Sequence, residues 1–144
     1  MKVTEPQSAE DFERYFNLRY EVLRKPWNQP YSSVKDDKEQ ESRHAMVVSA
    51  EGEVLGVCRM QFNSAEEAQL RFMGIREDMR GKELGKMLLD YFENIARGHG
   101  IKKIVLQSRE NAVNFYKRNG YREIEKSYLL WGLIQHYLMQ KDLA

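Results

Sequence analysis

The sequence predicts an α/β protein, a mixed sheet with helices on both of its faces. Segments of strand length alternate with segments of helical periodicity, in the order βα–βββ–α–β–α–ββ. No repeat, low-complexity tract or linker lies among these elements. The chain has 144 residues, 42% of them apolar and 31% charged, which suits one domain with a real core. Residues 1–144 are therefore read as a single domain.

A short first strand is expected at Lys2–Thr4. Ser8 then caps a helix, with Asp11 at its third position, and Phe12, Phe16, Tyr20 and Leu23 recur along one face until Pro26 ends it. From Lys25 to Arg43 the chain is polar and irregular. A hairpin follows, Ala45–Ala50 and Val54–Phe62 about a turn at Glu51-Gly52. After a polar loop, Ala68–Ile75 reads as another strand. A helix carries Leu84, Leu88, Tyr91 or Phe92, and Ile95 on its buried face, and Gly98 and Gly100 stop it. Ile101–Gln107 is β-branched and apolar apart from its lysines, as an interior strand should be. A short helix at Asn111–Asn119 ends at Gly120, and strands near Tyr121–Leu130 and Ile134–Lys141 close the chain.

The most informative segment is Arg80-Gly81-Lys82-Glu83-Leu84-Gly85-Lys86, a basic turn between a strand and a helix. Free N–H groups at a helix N-terminus, with the positive end of the helix dipole, form an anion site. Arg80, Lys82 and Lys86 add fixed positive charge to it. The Walker spacing is not met, because position 80 is Arg, three residues separate Gly81 from Gly85, and Met87 follows Lys86. The dinucleotide fingerprint is also absent after this strand.

The turn resembles the acetyl-CoA signature of the GNAT superfamily of N-acetyltransferases, [QR]-x-x-G-x-[GA], with Arg80 first and Gly85 last. Downstream, Asn111-Ala112-Val113-Asn114-Phe115-Tyr116-Lys117-Arg118-Asn119-Gly120-Tyr121 resembles that family's N-A-x-x-F-Y-x-x-x-G-[FY] helix and turn. The resemblance implies a mostly antiparallel sheet whose fourth and fifth strands splay apart. It further implies acetyl-CoA as co-substrate, with backbone groups of Met73 and Ile75 holding the pantetheine arm and Gly74 letting it approach. The pyrophosphate would then lie on Arg80, Gly81, Lys82, Glu83, Leu84, Gly85 and Lys86. A prearranged N–H would polarise the thioester carbonyl where negative charge develops. Glu83 departs from the pattern, which has glycine there. A carboxylate in the first helical turn is favourable with the dipole but repels a pyrophosphate, unless it points into solvent or pairs with Lys82, Lys86 or Arg80. Glu83→Gly is expected to tighten coenzyme A binding if Glu83 faces the ligand. If Glu83 points outward, the substitution is expected to leave affinity flat and lower helix stability slightly.

The resemblance makes Tyr116 the general acid for the departing thiolate, since a phenol is protonated at neutral pH. Read from the residues alone, Tyr116 packs beside Phe115. Asn111 either bonds the arm or a water, or caps its helix. The general base is open. Gly132-Leu133-Ile134-Gln135-His136 resembles the G-I-P-H strand of the ElaA-like branch, which makes His136 the leading candidate. His44 and Glu110 stand behind it. Cys58 lies in an apolar run and is not read as a nucleophile. The segment Lys25–Arg43 is either the acceptor side, with Trp27 and Tyr31 to stack on a substrate and Asp36, Asp37 and Glu39 to attract an amine, or a charged loop facing solvent.

The expected activity is acetyl transfer from acetyl-CoA to an amine, small-molecule or peptide. The alternatives are a non-catalytic acyl-CoA sensor and a phosphate-binding adaptor. A net charge of +1 gives no reason to expect nucleic acid or an anionic membrane as partner, and no metal is expected. One cysteine permits no internal disulfide, and neither a signal-peptide core nor a membrane-length apolar stretch is present. A cytoplasmic location is expected, and a homodimer is one assembly left open.

Overall fold

Local sequence sets the element boundaries of the computed structural model, which describes residues 1–143. The elements are β1 (Lys2–Thr4), α1 (Ala9–Leu23), β2 (Arg43–Val48), β3 (Val54–Phe62), β4 (Glu67–Ile75), α2 (Leu84–Gly98), β5 (Lys103–Arg109), α3 (Val113–Arg118), β6 (Arg122–Leu130) and β7 (Ile134–Asp142). Helix α1 starts with a full capping box. The Asp11 N–H donates to Ser8 Oγ at 3.0 Å, and the Asp11 carboxylate accepts from the Ser8 N–H at 3.3 Å. The helix stops three residues before Pro26, and the segment that follows is built from 3-10 turns at Lys25–Trp27, Tyr31–Val34 and Glu39–Glu41.

The strands form one mixed sheet in the order β1-β2-β3-β4-β5-β7-β6. Pairing is antiparallel for β1–β2, β2–β3, β5–β7 and β6–β7. It is parallel for β4–β5, registered from Glu67 opposite Lys103 to Leu70 opposite Leu106. Strand β5 thus has a partner on each side, as its apolar sequence requires. It begins later than expected because Ile101 belongs to the end of α2. The Ile101 N–H donates to the Ala96 carbonyl and the Gly100 N–H to the Arg97 carbonyl, with Gly100 at φ +75°. That pattern is a Schellman termination, and only its left-handed position calls for glycine. The expected helix at Asn111–Asn119 is a 3-10 turn, Glu110–Ala112, followed by α3.

By contacts the described chain divides into residues 1–61 with 72–92, and residues 62–71 with 93–143. The core of the first unit packs Tyr15, Phe16 and Leu18 of α1 with Val34, Met46, Val48, Val54 and Val57. In the second, Ile104, Leu106 and Met139 are buried along with Tyr116 and Tyr121.

Candidate functional site

In the first unit β4 leads through a 3-10 turn, Glu77–Met79, into the basic segment. Gly81 takes φ +79° and Glu83 φ +64°, and α2 follows at once. The Met87 N–H donates to the Glu83 carbonyl at 3.2 Å, so Glu83 occupies the position before the helix proper. Helical geometry therefore leaves the N–H groups of Leu84, Gly85 and Lys86 without an intrahelical acceptor. Arg80 and Lys82 are exposed and form no ion pair among the described residues, whereas Lys86 pairs with Asp90 at 2.8 Å. Unpaired cations beside open amides at a helix N-terminus can hold a phosphate-type anion.

Glu83 corrects one expectation. It stands outside the first turn, in the left-handed conformation that its glycine counterpart would adopt freely, with its side chain exposed. The conformation costs a non-glycine residue ~1–2 kcal/mol. Glycine's greater unfolded freedom takes back ~0.5–1 kcal/mol. Glu83→Gly is thus expected to raise stability by up to about 1 kcal/mol in urea unfolding, with coenzyme A affinity flat or slightly higher. A lower unfolding midpoint would return Glu83 to the helix-stabilising role read from the sequence.

The end of β4 carries Met73, Gly74 and Ile75, preceded by Phe72 at φ +58°. A left-handed aromatic residue inside a strand is an outlier costing ~1–3 kcal/mol, of the kind that concentrates at functional sites. Nothing in the sequence reading marks it. The absent side chain of Gly74 faces α1, where an added Cβ would lie 3.4 Å from Val22 Cγ1 and 3.5 Å from Leu23 Cγ. These are ordinary contact distances, so packing against α1 does not by itself require glycine at this position. The Ile75 side chain lies over Gly56, where a Cβ would come within 2.9 Å of its Cδ1.

Phe72 packs against a buried charge cluster. The guanidinium carbons of Arg19, Arg59 and Arg24 lie 4.2, 4.9 and 5.5 Å from its ring centre. Arg19 and Arg59 are wholly buried. Arg59 forks onto Asp36 at 2.6 and 3.0 Å and also donates to Glu39 at 2.8 Å and Gln61 at 2.6 Å. Arg19 donates to Glu39 at 3.0 Å, the Val34 carbonyl at 2.9 Å and Tyr15 Oη at 3.0 Å. Asp36 and Glu39 are thus turned toward buried guanidiniums, which corrects their reading as amine attractors. Both arginines have a readable sequence signal. Arg59 interrupts the apolar run Val54–Met60, and Arg19 follows Tyr15 by four residues on a helix.

His44 joins the cluster. Its Nε2 contacts the Glu39 carbonyl at 2.7 Å, and because a carbonyl only accepts, that nitrogen carries the hydrogen. Its Nδ1 lies 2.9 Å from Tyr15 Oη. Burial holds the imidazole below its ordinary pKa, the Arg19 and Arg59 charges act in the same direction, and the Glu39 carbonyl and carboxylate oppose them. Stability from neutral His44 is complete above the unfolded histidine pKa of ~6.5 and is lost as pH falls through the lower folded value. Urea midpoints should accordingly drop between pH 7.5 and 5.5, and the drop should shrink in His44→Asn. An equal drop in both proteins would assign the acid sensitivity elsewhere. Cys58 is fully buried and its thiol is pushed up to about 12, which rules out a ready thiolate.

The second unit holds Asn111, Tyr116 and His136. Asn111 is exposed in the 3-10 turn, and the position capping α3 belongs to Ala112, so the capping alternative for Asn111 falls. Tyr116 is 7% exposed on α3, its ring edge-on to Phe115 at 5.0 Å and to Tyr121 at 5.8 Å. Its carbonyl accepts from the Asn119 and Tyr121 N–H groups, both at 3.0 Å. The turn is clamped by Lys141 Nζ, which donates to the Asn119 carbonyl at 3.0 Å and to buried Glu93 at 2.7 Å. His136 is buried on β7, with Nδ1 3.0 Å from the Ile134 carbonyl. That oxygen can only accept, so Nδ1 holds the hydrogen and Nε2 is the basic nitrogen of the neutral ring. The Tyr128 ring stacks on it at 4.6 Å. Glu110 is exposed, and exposed His99 lies against Phe62.

Among the described residues no group of three or more His, Cys, Asp or Glu side chains is placed to hold a metal ion, and no helix is long and apolar enough to cross a membrane. Residues 10–121 match the model of the acetyltransferase (GNAT) family. The chain is 29% identical over 142 residues to the "Uncharacterized N-acetyltransferase YjcF" of Bacillus subtilis, covering 99% of this chain and 100% of that one. It is 30% identical over 86 residues to an uncharacterized N-acetyltransferase of Chlorobaculum tepidum, a match spanning 60% of this chain but only 54% of the relative. Among solved structures it is similar in fold to Escherichia coli ElaA, with a TM-score of 0.80 at 19% identity over 97% of both chains. It is also similar to an aminoglycoside 6'-N-acetyltransferase complexed with coenzyme A, with a TM-score of 0.83 at 15% identity over 100% of this chain and 98% of that one.

Proposed function

The chain belongs to the GNAT acetyltransferase family, and from that membership we propose that it moves an acetyl group from acetyl-CoA to an amine by direct attack on the thioester. Residues 1–144 work as one catalytic domain in this reading. The observation that carries it is the cradle before α2, with open amides at Leu84–Lys86 and unpaired Arg80 and Lys82 to meet the pyrophosphate. Gly81 and Glu83 supply the left-handed turns that shape it. Backbone groups of Met73 and Ile75 hold the pantetheine arm, and an N–H there stabilises the oxyanion of the tetrahedral intermediate.

The amine nitrogen bonds to the thioester carbon, and the carbon–sulfur bond then breaks. The thiolate takes the Tyr116 proton, and the attacking nitrogen gives its proton to His136 Nε2. Asn111 bonds the arm or a water. The acceptor is a small molecule or peptide bearing an amine. The lone, buried thiol of Cys58 suits a reducing compartment, so the proposed location is the cytoplasm.

Glu83 motivates a second reading, a sensor that binds acyl-CoA without turnover, since a carboxylate occupies the place of the signature glycine. Its adoption of the glycine conformation keeps the backbone cradle and weakens that reading. Release of the coenzyme A thiol, followed over a panel of small amines, polyamines, aminoglycosides and peptide N-termini, separates the two. Saturable release with one class establishes transfer. Tight coenzyme A binding with no release above hydrolysis would leave the sensor.

A further inference from the structure

We propose that Arg19, Arg59 and Phe72 form a positioning device that couples residues 34–39 to the thioester-holding end of β4. The inference rests on the reading of Met73–Ile75 as the arm-holding strand and extends it to what fixes that backbone. Phe72 is neither glycine nor asparagine, so nothing local favours its φ of +58°. A conformation of this kind persists only where the surroundings over-determine it. Here the surroundings are the Arg19 and Arg59 guanidiniums, at 4.2 and 4.9 Å from the ring centre.

Neither arginine is free to move. Residues 34–39 hold both of them, through the Val34 carbonyl, the Asp36 fork and Glu39 Oε2, which accepts from Arg19 and Arg59 together. The contacts therefore form a chain, from the 34–39 segment to the guanidiniums, from these to the ring, and from the ring to the peptide that carries the Met73 N–H. The cluster also leaves Arg19 Nε, Arg59 Nε and Glu39 Oε1 buried without hydrogen-bond partners. An apolar core of equal volume would serve stability at least as well, so a buried ionic set with unsatisfied atoms points to a task in addition to packing. In this arrangement a displaced 34–39 segment releases Phe72 and turns the Met73 N–H away from the carbonyl it stabilises. Acetyl transfer thereby depends on the order of a segment linked to the cofactor strand through the Arg19 and Arg59 side chains.

The test is a cycle of Glu39→Gln, Phe72→Gly and the double variant, with kcat and KM for acetyl-CoA measured on an acceptor found by thiol release. Glu39→Gln keeps the side-chain shape and removes the charge the arginines share. It is expected to lower kcat on the order of 10-fold, a displaced reacting group being worth that much or more, with KM for acetyl-CoA unchanged. Glycine occupies φ +58° unaided, so Glu39→Gln should cost much less in the Phe72→Gly background. Independent sites add to within about twofold, so an equal kcat loss in both backgrounds overturns the coupling. Amide exchange at Met73 and Gly74 supplies a readout without turnover. It should quicken in Glu39→Gln and show no further change when Phe72→Gly is already present, and unchanged exchange in Glu39→Gln also overturns the proposal. Asp36→Asn, which loosens the same arginine, should repeat the pattern if Glu39→Gln fails to fold. A parent chain that acetylates no amine removes the acetyl-transfer reading instead, and the exchange cycle then decides the coupling alone.

Discussion

Tyr116→Phe is expected to lower turnover by ~10²–10⁴-fold, the range for losing a positioned acid, and to fall nearer the lower end because water can replace a phenol in part. The variant is a clean one for packing. Tyr116 is 7% exposed, its ring meets Phe115 and Tyr121 edge-on, and a phenylalanine ring keeps both contacts. Its backbone is fixed independently of the hydroxyl, by the two N–H groups that share its carbonyl. Acetyl-CoA affinity and the urea midpoint should therefore stay near the parent's. The deficit should sit in kcat, since the proton is needed in the transition state and not by bound substrate. Leaving groups offer a further discriminator: acyl donors with more acidic thiols need less protonation and should narrow the gap between parent and variant. Parental kcat in Tyr116→Phe would return the residue to packing and leave the thiolate without an identified acid.

The fold was legible because its signals are local. Ser8 with Asp11, the Glu51-Gly52 turn and the period of Leu84, Leu88 and Phe92 each report on a few neighbouring residues. Each element appears within about two residues of where they put it, the first hairpin strand running Arg43–Val48 instead of Ala45–Ala50. Ile101 misled for a physical reason: an apolar residue after a helix-ending glycine can begin a strand or close a Schellman motif, and both want the same side chain. Candidate site residues were legible where a motif fixes the backbone, as at Arg80–Gly85. The conformation of Glu83 was not, because a left-handed glutamate is written in the sequence only as a missing glycine. Phe72 and its arginines were harder still. Their meaning comes from contacts between residues 19, 36, 39, 59 and 72, and no window of sequence spans such a set. Asp36 and Glu39 show the converse error, charges read as facing solvent whose partners lay in a distant strand and helix.

Arg59→Met is expected to destabilise the protein by ~3–5 kcal/mol, the usual consequence of removing one member of a buried ion pair and leaving the other uncompensated. Three acceptors lose the Arg59 donor at once, both Asp36 oxygens and the Gln61 carbonyl oxygen, although the Lys38 N–H still donates to Asp36 Oδ1 at 2.9 Å. Glu39 fares better, because Arg19 still donates to it at 3.0 Å. The Asp36 side chain is 26% exposed, so water reaches it once the guanidinium is gone, which favours the lower end of the range. Arg59→Lys should fall between parent and Arg59→Met. It restores a buried positive charge but cannot fork onto Asp36 while also reaching Glu39 and Gln61. Urea unfolding of the three proteins at pH 7.5 checks the order. A loss under about 1 kcal/mol in Arg59→Met would mean that methionine packs against Phe72 as well as a guanidinium does, as apolar replacements of buried ion pairs can. In that case the charge would be dispensable to the fold, and its remaining justification would have to be found in turnover.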